Sequence, residues 1–397
     1  MNISFLKCHN FTGHAAGRIK ALYMQNTGNS SQLNLYNQVR QIGIKEGFDV
    51  IMHAKDGLKN ENLYETDLSY NPWGVWSQDN KFFLSRNGKT TIFYPQASYD
   101  WMKDEVQSIA QQLDYPLQET QTYIDGGAVF FGKKNNGEKY ALISDWNIDY
   151  CAAYQYIKSK NLQDIDNKLL DNFYRSKSVC FVKDIALRWD EFESNIELYR
   201  YKALEVISSE YDIELCNIIP LPDCEYHLDL IMRPLDYPYV LVNDDEKVDE
   251  LIEKCRVKFS DDFVLKTMLE ELVAKIQRNR KKFCSSDELC KKLQQEGFIP
   301  IKIAGTFGRS SINFMNAIVH QADDGLVYIT NSAYVDNPLY QFIQNDFEEN
   351  LHRLCPQIKR IHYVSGNKAE KDLNDIMIYL KGYNGGIHCL CSEEMME

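Results

Sequence analysis

The sequence predicts an α/β fold on three observations. Short apolar runs rich in β-formers recur along the chain, segments with helical spacing separate them, and no long Pro/Gly/Ser linker or abrupt composition change divides it. The strand-like runs are residues 91–94, 140–143, 179–182, 213–219, 227–232 and 239–242, then 301–303, 316–320, 326–330 and 361–364. Helical patterns cover residues 100–113, 191–208 and 345–354. The longest, residues 245–283, is interrupted near Phe259-Ser260-Asp261, where Ser260 or Asp261 can cap a second helix. The basic stretch 278–282 ends that segment, where cations complement the helix dipole; a solvated helix terminus is expected there. Strands and helices alternate to the end, without a clean internal repeat. A single α/β domain over residues 1–397 is expected, with a helical insertion near 245–283.

Composition narrows the function classes. The chain has 397 residues, 44% hydrophobic and 25% charged, enough to bury a substantial core. Its net charge of -13 argues against sequence-independent binding to DNA or RNA, which needs an excess of lysine and arginine. The same charge favours approach of a cationic small molecule or a basic peptide. No run of about eighteen apolar residues suggests a membrane helix. The segment from Met1 to Phe11 is broken by Lys7 and His9 and lacks the features of a cleavable signal. A cytoplasmic chain is expected, with signal-independent export left open. Eleven cysteines at irregular spacings fit reduced, mostly buried thiols better than a disulfide framework. Neither a P-loop nor a strand-linked GxGxxG is present, so metal-free chemistry without a cofactor is expected.

Four segments carry candidate chemistry. Gly385-Gly386-Ile387-His388-Cys389-Leu390-Cys391 delivers a cysteine behind a glycine-led turn, where backbone can approach a ligand closely. A thiol is a useful nucleophile only as thiolate, and a positively charged substrate could supply the stabilising cation. Against this stands the buried, inert cysteine, which is the commoner state of the residue. Zinc would need a second closely spaced Cys or His pair, and none completes a four-ligand set. His227 and Asp229, two apart in a strand-like run, would share one face and offer a proton shuttle beside a cation-binding carboxylate. Asp79 follows Trp73 and Trp76, where an aromatic wall would suit a planar cation, although Asp79-Asn80 also reads as a turn. Asp125-Gly126-Gly127 reads alone as a tight turn.

In this order the segments resemble the guanidine-modifying superfamily: arginine, agmatine and peptidylarginine deiminases, dimethylarginine hydrolases and amidinotransferases. The motifs frame most of the chain, from Asp79 to Cys389, and residues 313–319 look like the asparagine-bearing strand that such proteins carry between the histidine and cysteine motifs. The resemblance implies a five-unit αβ propeller (pentein-like) of ββαβ modules with the site at a central channel. It implies Cys389 as nucleophile and His227 as general acid and base. Asp79 and Asp229 would grip the guanidinium nitrogens, Asp125 would hold the acidic position before the double glycine, and Trp76 would wall the pocket. Three neighbours depart from the family pattern: Gln78 where Arg usually stands, Ala128 where Asp or Asn is common, and Cys391 where Thr or Ser is common.

The expected substrate is therefore a guanidino-containing small molecule or a protein arginine, hydrolysed through a covalent amidino-thioether. Free arginine would need a partner for its carboxylate. Arg86, Arg233 or Arg309 could serve, although each fits a surface position better. Amidino transfer to an amine is the nearest alternative. A non-catalytic interaction protein that keeps the fold and uses the 245–283 segment to bind a protein partner is another; a thiol protease is a weaker rival. Oligomeric state is not legible.

Overall fold

The computed structural model describes residues 16–25, 30–54, 57–63, 81–86, 89–95, 100–122, 124, 126–159, 189–222, 227–280, 285–307, 312–333, 336–364 and 386–396. It is mixed α/β, and one strand pattern recurs through it.

The chain enters through β1 (Ile19–Gln25), helix α1 (Ser30–Glu46), β2 (Asp49–Ala54) and β3 (Gly57–Lys59), with β2 parallel to β1. Next, β4 (Phe82–Arg86) and β5 (Lys89–Pro95) pair antiparallel, α2 (Asp100–Leu113) crosses over, and β6 (Leu117–Thr120) returns parallel to β5. The pattern repeats with β7 (Val129–Lys133), β8 (Lys139–Ser144), helices α3 (Asp145–Ser159), α4 (Trp189–Ser194) and α5 (Ile196–Tyr211), and β9 (Ile218–Leu221). It repeats again with β10 (Met232–Pro234), β11 (Tyr239–Asn243), α6 (Asp245–Lys258), α7 (Phe263–Arg280), α8 (Ser286–Gln295) and β12 (Ile299–Ile303). A further copy comprises β13 (Ile318–Ala322), β14 (Gly325–Asn331), α9 (Pro338–Leu354) and β15 (Ile358–Val364). Finally a short helix, α10 (Ile387–Leu390), leads into β16 (Cys391–Met395), which pairs antiparallel with β1. The described residues thus form five sheets, each containing a ββαβ unit, and the last strand completes the first unit.

Packing links these sheets in sequence. Tyr23 stacks on Phe83 between the first and second, and Phe82 meets Phe131 edge-on between the second and third. Leu142 shares a cluster with Met232 and Val242, while Leu241 and Ile303 share one with Val319 and Tyr328. Ile318 and Ile329 then pack with Ile19, Leu22 and Met395, returning the contacts to the first sheet. With both faces covered, strands such as Val129–Lys133 read as continuous apolar runs rather than alternating ones.

Most expected elements appear, with differences that have local causes. Residues 100–113 are helical with those bounds. The long segment splits at 259–262 as expected, but the cap is Asp262, whose carboxylate accepts from Val264 N and Leu265 N at 3.0 Å each. Residues 227–232 are not one strand: His227 is extended, Leu228–Leu230 forms a 3-10 turn, and β10 starts only at Met232. Residues 213–219 likewise contain a 3-10 turn, Leu215–Asn217, before β9. Helix α1 escapes the periodicity because its polar residues and the interior Gly43 dilute its apolar stripe. That glycine lies against the following strand, where a Cβ would come 2.7 Å from Phe48 O. The expected strand at 179–182 lies outside the described residues. No helix of the described residues is long and apolar enough to cross a membrane, and none of the described cysteines forms a disulfide.

Candidate active site

Each chemical segment precedes the first strand of one ββαβ unit. Asp79 comes three residues before β4 in sequence, Asp125 to Gly127 lead to β7, His227 to Asp229 to β10, Asn313 to Asn316 to β13, and His388-Cys389 to β16. Among the described residues, the site is assembled at the starts of β7, β10, β13 and β16. Asp79, Trp76 and Asp125 lie outside the described residues; the other predicted site residues come together.

Three asparagines build the frame. Asn313 Oδ1 accepts from Met315 N at 2.9 Å and Asn316 N at 3.0 Å, a side-chain turn that shapes the entry to β13. Asn331 Oδ1 accepts from Ile387 N at 2.9 Å, while its Nδ2 donates to Asn313 O and Asn316 O. Asn316 Oδ1 accepts from His388 N at 2.9 Å, and its Nδ2 therefore faces Asp229 Oδ2 at 2.8 Å and the Cys389 sulfur at 3.1 Å. These amides press against the chain before the nucleophile, so a Cβ on Gly386 would collide with both Asn331 and Asn316. The glycine allows close approach and is not there for a turn conformation.

His227, just before the 3-10 turn, and Asp229, at its middle, reach the same point. The His227 ring lies over Gly127, where a Cβ would collide with the imidazole, which gives the second glycine of Asp125-Gly126-Gly127 a packing role. Asp229 is fully buried. Its Oδ2 accepts from Asn316 Nδ2, from His388 Nδ1 at 2.8 Å and from the Cys389 thiol at 3.3 Å. Its Oδ1 has no hydrogen-bond partner among the described residues. Donor atoms of His227, Asp229 and Cys389 all lie within 4.8 Å of one another. That spacing could also face a metal ion, but the thiol and carboxylate here bond to each other and share one amide donor.

Behind this trio lies a second buried layer. His388 is fully buried, and burial, aided by the Arg233 cation, pushes its imidazole down to about 4 against the pull of Asp229. With Asp229 Oδ2 as a carboxylate acceptor at 2.8 Å, a neutral ring here carries its proton on Nδ1. Its Nε2 lies 4.0 Å from Glu393 Oε1, which also meets Arg233 Nη2 at 3.3 Å. Burial pushes the Glu393 carboxyl up to about 7 despite that guanidinium. Arg233 does not occupy the expected surface position: it is fully buried, with its guanidinium 5.3 Å from the Phe130 ring. It is therefore no partner for a substrate carboxylate. The H-x-D-x-x-x-R spacing from His227 to Arg233 was the available signal. Glu393 had none, because nothing in a short acidic run marks one of its carboxylates for burial.

These two shifts have opposite linkage signs. The depressed His388 value contributes stability that is present above 6.5 and lost as pH falls towards 4. The raised Glu393 value contributes stability that is present below 4.5 and lost as pH rises through about 7. The two offset across the shared window. Glu393→Gln removes the second contribution, and its urea-unfolding free energy is expected to fall more steeply between pH 6.5 and 4 than that of wild type. Parallel curves would contradict the assignment.

No protein-family model matches the sequence, and no curated relative does. Among solved structures, the chain is similar to a Cys-to-Ser variant of agmatine deiminase from C. jejuni with substrate bound. The TM-score is 0.50 at 11% identity, covering 100% of this chain and 99% of that one. The unsubstituted C. jejuni agmatine deiminase gives 0.49 at 12% identity, over 100% and 99%. DDAH from Pseudomonas aeruginosa complexed with citrulline gives 0.40 at 9%, over 95% and 100%. At these identities the first of the three likenesses speaks for a shared fold.

Proposed function

We propose that the chain is a cysteine-dependent hydrolase of a guanidino group, acting on a small guanidine compound or a protein arginine. The observation that carries this reading is the meeting of a thiol, an imidazole and a buried carboxylate with one unbonded oxygen within a few ångströms. A guanidinium is planar, cationic and rich in N–H donors, so a carboxylate with a spare oxygen in a dry site suits it. The name of the similar C. jejuni protein, agmatine deiminase, supports the same substrate class. We further propose that Asp79 shares the guanidinium with Asp229, that Asp125 completes the acidic wall, and that Trp76 covers the planar cation. The five sheets would form a five-unit αβ propeller in one domain, with α6 and α7 as its helical insertion.

In the resting site the thiol proton points to Asp229, and a thiolate 3.3 Å from a carboxylate would be repelled. A bound cation offsets that repulsion. The thiol proton passes to His227 as sulfur adds to the guanidinium carbon, and His227 returns it to the departing nitrogen. An amidino-thioether remains. His227 then deprotonates water, which adds to the same carbon; collapse expels the thiolate, which takes back a proton from His227, and gives the ureido product, the ammonia or amine having left in the first step. Holding the guanidinium carbon against the sulfur supplies much of the rate through proximity.

Intact-mass spectrometry and peptide mapping with 2-chloroacetamidine, a guanidinium mimic that alkylates an activated thiol, test this. One adduct on Cys389, slowed by agmatine or arginine, is expected. Labelling scattered over the eleven cysteines would instead favour a non-catalytic protein. Product masses in the presence of an added amine separate hydrolysis from amidino transfer.

A further inference from the structure

Asp229 can serve a guanidinium only if its free oxygen points into the site, and the carboxylate is not held by its own segment. It is held by the Asn316 amide at 2.8 Å and by the C-terminal segment, 159 residues away. Besides the Cys389 thiol, which donates to Asp229 Oδ2 at 3.3 Å, two contacts tie residues 229–233 to residues 388–393: Asp229 Oδ2 to His388 Nδ1 at 2.8 Å, and Arg233 Nη2 to Glu393 Oε1 at 3.3 Å. A third approach, His388 Nε2 to Glu393 Oε1 at 4.0 Å, joins them. Phe130 backs both, with its ring 5.7 Å from the His388 ring and 5.3 Å from the Arg233 guanidinium. All four polar side chains are fully buried or nearly so.

Stability alone does not call for such an arrangement. A buried ion pair gains little over apolar side chains of similar volume, because desolvation offsets the attraction. What it does provide is direction. The ring of His388 can turn only one donor to Asp229, and the Glu393 and Arg233 pair fixes which way the ring faces.

We infer that Arg233, Glu393 and His388 form a buried clamp that aims the Asp229 carboxylate at a bound guanidinium. His388 and Glu393 are positioning residues, and His388 is not the proton shuttle. This rests on the guanidino reading above for its substrate and on the geometry alone for the clamp. Among the described residues, the charged and titratable groups facing His388 include Asp229, Glu393, Arg233 and His227.

The test compares His388→Asn, which keeps an N–H donor near the Nδ1 position, with His388→Leu, which has none, and with Glu393→Gln. Cys389 alkylation is timed with cationic 2-chloroacetamidine and with neutral iodoacetamide. His388→Leu should slow the amidine about 100-fold while changing the iodoacetamide rate less than about threefold. His388→Asn should recover to within about tenfold of wild type, and Glu393→Gln should fall between. Equal losses with both reagents, or no recovery in His388→Asn, would mean a merely structural histidine. Separately, imidazole 15N spectra of the wild-type protein should show His388 as the neutral Nδ1–H tautomer from pH 5 to 8. An imidazolium or an Nε2–H tautomer there overturns the clamp whatever the substrate. If wild type shows no preference for the amidine, the guanidino reading fails, and the tautomer decides the clamp by itself.

Discussion

Cys389→Ser is expected to reduce turnover of a guanidino substrate by on the order of 10^4-fold or more, because its thiol is the group placed beside His227 and Asp229 to form the covalent intermediate. The hydroxyl is a far weaker nucleophile than the thiol, yet it preserves shape and can still donate to Asp229. Substrate binding measured by calorimetry should therefore persist, giving a complex that forms without turning over. The other buried cysteine in this segment does not substitute. Cys391 belongs to β16, packs in an apolar cluster, and has its thiol pushed well above the ordinary range by burial, with the Glu393 charge adding to it. Residual activity above about a tenth of wild type in Cys389→Ser would remove Cys389 from the chemistry. Loss of binding together with turnover would indicate a site that had collapsed instead.

Asp229→Asn separates recognition from folding. The amide oxygen can still accept from Asn316 and His388, so the frame should survive. The other end of the amide then presents N–H donors where the guanidinium presents its own. Losing a charged partner in a dry site costs about 3–5 kcal/mol, so kcat/KM should fall on the order of 10^3-fold. Stability should not fall, because the free protein loses a buried charge whose close partners are neutral donors. An unchanged or raised midpoint in thermal unfolding, with lost activity, is the expected pattern. A large drop in the midpoint with parallel loss of activity would make Asp229 a structural residue and sink its assignment to the substrate.

Much of this site was legible in order and chemistry. His227, Asp229 and Cys389 were each ambiguous alone, and the structure brings the three together. Asn316 was marked only through its strand, and its role in bonding Asp229, Cys389 and the backbone of His388 required the fold. Arg233 was misjudged as a surface residue, since nothing in a single basic residue announces that Glu393, 160 positions later, will be buried against it. The repeated unit also escaped the sequence, for a plain reason. One helix links β5 to β6, whereas three link β11 to β12, so no fixed spacing exists to find.

The sequence by itself determined which chemical groups are present, their order, and most strands and helices, because these depend on side-chain type and short-range periodicity. The tertiary structure decided everything that depends on what surrounds a group. It brought the His227, Asn316 and Cys389 motifs together, closed β16 onto β1, and carried a thiol to a carboxylate across 160 residues. It also distinguished the two histidines: His227 lies over Gly127 beside the nucleophile, while His388 is sealed behind Asp229 and kept neutral by desolvation. Burial and convergence are properties of the packed chain, and no window of sequence contains them.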